Sequence, residues 1–258
     1  MTRAIRCIVS AGLLTLALSG CNVSPTSTVT RPDGSEVTVN WADYPATAWD
    51  DAEQILAGPP ESEVEPRVAA LFDEIRTTLD GEFDFRWTME GEDVWYRFGG
   101  NGYGGESYLV LYESRSLVSD GVPTSTADWD KIIERVSVVT DTYDLGRVVL
   151  DHESAPPGAD EAWQKEQFDI FGTDDPDAYW AWSGRADTSS ERLDVEITDV
   201  DRDPSGEAAE AYADDYAGGH QVRFSYSART IPDDERDAFV QALEPFKGLT
   251  RPPESHPD

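Results

Sequence analysis

Apolar residues recur at helical spacing in four separate segments of the chain. The clearest stripe runs from Trp129 to Tyr143, follows an N-cap at Ser125 or Thr126, and ends near Gly146. In the second segment, Pro66 suits the first helical turn. The helices that these stripes predict span 47–57, 65–79, 126–145 and 232–246.

Other segments alternate with the period of two that is typical of strands. Glu90 to Asp93 has the composition of a hairpin turn between two of them, and Asp187 to Ser190 that of another. The run from Tyr108 to Tyr112 is apolar on both faces, which predicts a central strand. Strands are expected near 83–87, 94–98, 107–113, 147–151, 179–182, 193–197 and 221–229.

This order of elements predicts an α+β fold, with a mixed or largely antiparallel sheet packed against a few helices in a single domain. Two long acidic connections, 153–177 and 199–219, interrupt it. The segment 163–171 suits either a helix or a strand, and 207–216 suits a loose helix. We find no internal repeat.

The ends of the chain differ from the middle. Residues 1–20 combine Arg3 and Arg6 with an apolar run that is too short to span a bilayer, which is typical of a signal peptide. Residues 21–45 are expected to be a flexible tether, 46–248 the globular domain, and 249–258 a disordered tail. Within the tether, 36–41 is either an edge strand or merely the end of the tether.

The tetrad Leu18-Ser19-Gly20-Cys21 resembles the lipobox of bacterial lipoproteins. The resemblance implies that Cys21 receives a diacylglycerol carrying acyl chains such as palmitate, and becomes the mature N-terminus after cleavage. Two acyl chains give stable anchoring where one gives only marginal binding. The alternatives are an ordinary secretory signal and a membrane anchor helix. We expect an extracytoplasmic protein held at the cell membrane by its lipid.

A weaker resemblance connects residues 65–200 with the LppA-like lipoproteins of actinobacteria. The features that carry it are the tethered Cys21, the helix that contains Asp128-Trp129 and ends at Tyr143-Asp144-Leu145-Gly146, and the strand after it. Phe171-Gly172 before paired strands adds to it. Such proteins often carry late cysteines that this chain lacks. The family implies no defined activity.

The charge of the chain limits its possible binding partners, and its cysteine content limits its possible disulfides. The formal net charge is −32, a field that repels nucleic acid. It indicates solubility first, and otherwise a cationic partner, either calcium or a basic polypeptide. Cys7 lies in the signal segment and Cys21 at the lipidation site, so the mature domain is expected to have no disulfide.

Three motifs deserve weighing as binding sites, and for each a structural role is favoured. The stretch 99–105 is rich in glycine but lacks the lysine of a phosphate-binding loop, which favours a flexible connection over a ligand-gating loop. Asp199, Asp201 and Asp203 alternate as in calcium loops, but the later ligands of such a loop do not follow. An acidic turn is favoured there, and also around Asp174, Asp175 and Asp177.

Catalytic motifs are not found. His152, His220 and His256 have no zinc-binding spacing, and a nucleophile motif is missing. Trp87, Trp129 and Trp180 are expected in the core. We therefore expect no catalytic residue, metal site or cofactor. The function expected is a binding or interaction module at the cell envelope, for which the candidate partner is cationic or part of the cell wall. The alternative is a membrane-anchored hydrolase.

Overall fold

A computed structural model describes residues 24–30, 35–154, 160–213 and 218–255. Within these ranges the fold is α+β, as predicted, with a two-stranded sheet and an eight-stranded sheet whose pairs are all antiparallel. Cys21 and His256 lie outside the described residues.

The bounds of the elements are as follows. The strands are β1 (Thr26–Thr30), β2 (Glu36–Asn40), β3 (Trp87–Glu90), β4 (Val94–Arg97), β5 (Val110–Glu113), β6 (Ser116–Ser119), β7 (Val149–Leu150), β8 (Ala181–Asp187), β9 (Glu191–Asp199) and β10 (His220–Thr230). The helices are α1 (Ala52–Ala57), α2 (Glu61–Asp80), α3 (Thr126–Thr142), α4 (Asp160–Phe171), α5 (Glu207–Ala211) and α6 (Arg236–Leu243).

Strand β10 is the axis of the large sheet. It pairs with β9 along one edge, and along the other edge first with β6 and then with β5. Val222, Phe224 and Tyr226 alternate into the main core, where the buried stripes of α2 and α3 pack against them. The predicted central strand, β5, is internal because it lies between β4 and β10.

The hairpin predicted around Glu90 to Asp93 is wrong, because β3 pairs with β6 and β4 pairs with β5. Asp93 explains the change of partner. Its Oδ1 accepts hydrogen bonds from the Tyr112 hydroxyl (3.0 Å) and the Arg115 N–H (2.9 Å). These bonds fix the start of β4 against the β5–β6 bend instead of against β3.

Three helices begin elsewhere than the sequence indicated. Helix α1 begins at Ala52, since Asp51 accepts from the N–H groups of Glu53 and Gln54. Helix α2 begins at Glu61, which places Pro66 inside it. Helix α6 begins at Arg236 rather than at Pro232, and the segment 160–171 forms the helix α4.

A second core joins the two ends of the described chain. Trp41 is fully buried among Tyr44, Tyr103 and Phe246, although residues 21–45 were expected to be a tether. The backbone N–H of Trp41 also donates to the Pro25 carbonyl (2.9 Å). The last part of the expected tether therefore belongs to the folded domain.

The expected disordered tail also contacts the domain as far as residue 255. The Tyr103 hydroxyl donates to the Pro252 carbonyl (2.9 Å), and the Ser255 N–H donates to the Gly102 carbonyl (3.0 Å). Residues 249–255 thus close the second core.

Candidate functional site

A cleft of about 610 Å³ opens between the start of α2 and the β8–β9 turn. Pro59 and Pro60 stiffen one wall, since their backbone φ angles are fixed. The opposite wall is the predicted turn at 187–190, where Thr188 N–H donates to the Glu191 carbonyl (2.8 Å). Gly58 lets the walls meet, because a Cβ there would lie 2.7 Å from Ser190 Oγ.

The floor of the cleft is a polar network that joins α2 to the sheet. Arg67 Nε lies 2.6 Å from Glu191 Oε1, and the Tyr226 hydroxyl donates to the same oxygen at 2.5 Å. Arg67 Nη2 also donates to the Tyr143 carbonyl at the end of α3. The network therefore joins four elements: α2, the end of α3, β9 and β10.

The protonation states in this network follow from its surroundings. Burial raises the pKa of the Tyr226 phenol, and the charge of Glu191 raises it further, so the hydroxyl stays a donor. Burial alone would lower the pKa of Arg67. The hydrogen bond and the charge of Glu191, together with Tyr226, outweigh burial and raise that pKa. The floor is thus a charge-balanced pair capped by a neutral phenol.

The rim of the cleft is acidic. Glu63 and Asp144 are exposed and form no ion pair with any residue that the structure describes. Since Glu191 already balances Arg67, these two carboxylates give the cleft a net negative charge. Thr188, Ser189 and Ser190 add hydroxyl groups. A cationic group, such as an ammonium or a guanidinium, is the ligand that this lining can hold.

Sequence reasoning missed this cleft. Its charged residues come from segments far apart in the chain and share no motif. Asp144 reaches the cleft from the turn after α3, where its backbone has a left-handed φ of 59°.

The suspected calcium loop does not form among the described residues. Asp203 accepts from the N–H groups of Ala208 (2.9 Å) and Ser205 (2.9 Å), so its carboxylate is bonded to the first turn of α5. Those bonds, the one from Ala208 foremost, lower the pKa of its carboxyl. Asp199 and Asp201 instead lie beside His220, and the three can offer ligand atoms within 4.8 Å of one another. The structure thus brings together two of the suspected aspartates and one histidine.

The acidic cluster at 174–177 has a local role. Asp175 Oδ1 accepts from the Asp177 N–H (3.1 Å) and caps a 3₁₀ turn over Pro176–Ala178. This contact agrees with the acidic turn favoured from sequence.

His152 packs against aromatic rings. Its ring lies 5.2 Å from the Trp182 ring and 6.0 Å from that of Tyr179. Burial lowers its pKa, more than the nearby carboxylates of Glu153 and Asp151 raise it. His152 is therefore a packing residue.

The glycine-rich stretch 99–105 is packed rather than open. The Asn101 amide is fully buried and donates to the carbonyls of Trp41, Ala42 and Tyr44 at 2.9–3.1 Å. Gly105 touches the same segment, since a Cβ there would lie 1.7 Å from the Ala42 carbonyl oxygen. This stretch holds the N-terminal segment, which neither reading of the sequence anticipated.

The tryptophans divide between core and surface. Trp129 is fully buried, as predicted, whereas Trp87 and Trp180 are half-buried. Trp49 is exposed.

No described helix is both long enough and apolar enough to cross a bilayer. Comparison of the chain with protein-family models, curated proteins and solved structures found no match.

Proposed function

We propose that the protein is a lipid-anchored lipoprotein on the extracytoplasmic face of the cell membrane, where it acts as a binding module for a cationic partner. The anchor is Cys21, in the tetrad Leu18-Ser19-Gly20-Cys21. The only other cysteine is Cys7, upstream of it within the signal segment. Lipid attachment therefore gives the one mature thiol a role.

The cleft above Arg67 and Glu191 is the observation that carries the binding proposal. Glu63 and Asp144 present free carboxylates at its rim, and its floor is held rigid by four elements. A preformed site saves the ligand the cost of ordering the protein. The net charge of −32 also concentrates cations near the surface.

Binding is favoured over the alternative of a membrane-anchored hydrolase. A hydrolase of the kind considered from sequence needs a histidine or paired acids facing a nucleophile in a cleft. Within the described residues, His152 packs on aromatic rings and His220 faces Asp199 and Asp201. The cleft above Arg67 has no histidine in its lining.

The anchor is tested by following the full chain in bacterial cells after Cys21→Ala substitution. We expect the variant to lose fatty-acid labelling and to appear unprocessed or released. Cys7→Ala is the matched control and should label like the wild type, because that residue is removed with the signal. Labelling of Cys21→Ala equal to the wild type would refute the anchor.

The cleft is tested with a fluorescent oligolysine peptide and the double variant Glu63→Gln/Asp144→Asn. Affinity should fall by about tenfold or more, or ~1.4 kcal/mol, when both rim charges are removed. The control is Glu134→Gln/Asp141→Asn, which removes two exposed charges from α3 and changes the net charge equally. Equal losses in both double variants would mean that only the overall field attracts the peptide.

A further inference from the structure

The connection between β9 and β10 leaves and re-enters the sheet at one narrow point, which we call the neck and which is formed by Asp199, Val200, Gly219 and His220. Asp199 ends β9, His220 begins β10, and the two are directly opposite in the antiparallel register. Gly219 makes the neck tight: its φ is +81°, and a Cβ there would lie 2.4 Å from Val200 Cγ1. Asp201 lies in the 3₁₀ turn Val200–Arg202 that leaves the neck.

Three potential ligand atoms converge at this neck. His220 Nε2 lies 3.2 Å from Asp201 Oδ2 and 3.6 Å from Asp199 Oδ1. Two ligands of a tetrahedral zinc ion, each bonded at about 2.0–2.2 Å, lie about 3.3 Å apart. The spacing at the neck therefore matches that of groups that share one metal ion.

The bonding at the neck is incomplete without a cation. The Asp199 side chain is only 6% exposed, and its carboxylate accepts no hydrogen bond from any other residue that the structure describes. His220 Nε2 is buried and forms no hydrogen bond with any described residue, even though both carboxylates are near. A buried carboxylate is costly unless a cation or several donors compensate it. The nitrogen therefore lies close to both carboxylates without a hydrogen bond to either.

We propose that Asp199, Asp201 and His220 bind one divalent transition-metal ion of the zinc class. One imidazole nitrogen and two carboxylates are ligands that zinc accepts, and their two negative charges balance the ion. Calcium is disfavoured because it takes six to eight oxygen ligands. Three protein ligands leave one tetrahedral position for water. The ion would fasten the end of β9 to the start of β10.

The inference is independent of the anchor and of the cleft. It is tested by titrating zinc, by calorimetry, into the metal-stripped full chain in detergent without a histidine tag. We expect one equivalent to bind. His220→Gln and Asp201→Asn should each weaken binding by about tenfold or more. Asp201 is 85% exposed, so its substitution should leave the fold intact. The matched control, His152→Gln, should bind as the wild type does.

Cobalt provides a second measurement. Co²⁺ added in place of zinc should give the visible absorption bands of cobalt bound to nitrogen and oxygen ligands in the wild type and in His152→Gln. His220→Gln should not give these bands. Zinc binding by His220→Gln equal to the wild type, or failure of the wild type to bind zinc, would overturn the inference.

Discussion

Arg67 and Glu191 lie 124 residues apart in the chain, yet Nε of one and Oε1 of the other are 2.6 Å apart. The bond joins α2 to the first residue of β9 and forms the floor of the acidic cleft. Glu191 is almost fully buried and Arg67 is 29% exposed. The pair therefore affects both the stability of the domain and the shape of the cleft.

Substitution of Glu191 by Gln should destabilise the domain. The change removes the charge partner of a largely buried guanidinium and weakens the acceptor of the Tyr226 hydroxyl. Loss of one member of a buried pair costs about 3–5 kcal/mol, and partial exposure of Arg67 reduces our expectation to ~2–3 kcal/mol. Urea denaturation measures the loss. Asp73→Asn, which breaks the exposed Arg76 pair, is the control and should cost less than about 0.5 kcal/mol. Comparable losses would contradict the role assigned to the pair.

Substitution by alanine should destabilise the domain at one glycine of the stretch 99–105 and have little effect at another. A methyl group at Gly105 meets the Ala42 carbonyl at 1.7 Å, whereas one at Gly99 meets no atom within 4 Å. Gly105→Ala should therefore lower the free energy of unfolding by about 3 kcal/mol or more. Gly99→Ala should change it by less than about 0.5 kcal/mol. Thermal melting of both variants gives the comparison. If Gly105→Ala melts like Gly99→Ala, the stretch 99–105 is a loose connection after all.

Acid should weaken the domain partly through His152. Burial lowers the pKa of this residue in the folded state, so the unfolded chain binds the proton more readily. The contribution is present above the unfolded pKa, about 6.5, and is lost as pH falls from there through the lower folded pKa. His152→Gln should flatten the stability curve below about pH 6.5. Denaturation across that range tests it, with the wild-type curve as reference. An unchanged acid slope would refute the contribution.

Alkali should weaken the domain partly through Tyr226. Burial and Glu191 raise the pKa of its phenol in the folded state. Stability is therefore full below the unfolded pKa, about 10, and declines as pH rises above it, because the unfolded chain releases the proton first. Tyr226→Phe should show a smaller decline above about pH 10, although it is less stable at neutral pH. Tyr96→Phe, at an exposed strand position, is the control. If the stability of Tyr226→Phe fell above pH 10 as steeply as that of the wild type, the expectation would be contradicted.

Local sequence patterns predicted where helices and strands lie better than they predicted which strands pair with each other. The stripe from Trp129 to Val139 is buried as expected, because helical periodicity depends only on neighbours in sequence. Strand pairing depends on distant contacts. Asp93 accepts a hydrogen bond from Arg115 and thereby separates β4 from β3. The alternation of apolar and polar residues along either strand does not predict that bond.

The candidate sites were predictable only in part. Asp199, Asp201 and His220 each stood out as titratable residues, but their meeting follows from the β9–β10 register, which links residues on either side of a long excursion. Asp203 follows the same alternation, yet its carboxylate accepts a hydrogen bond from the first turn of α5. The cleft above Arg67 depends on four separate elements, so composition and spacing held no signal for it.

The hydrogen bond between Trp41 and Pro25 has a consequence for the orientation of the domain. Pro25 lies four residues after Cys21, and four extended residues span at most about 14 Å. A domain of about 200 residues has a radius of gyration of about 16 Å. With a lipid on Cys21, the segment between the lipid and Pro25 would be shorter than the radius of gyration of the domain. The domain could then neither reach far from the bilayer nor turn over freely, and its partner would have to come to the membrane surface.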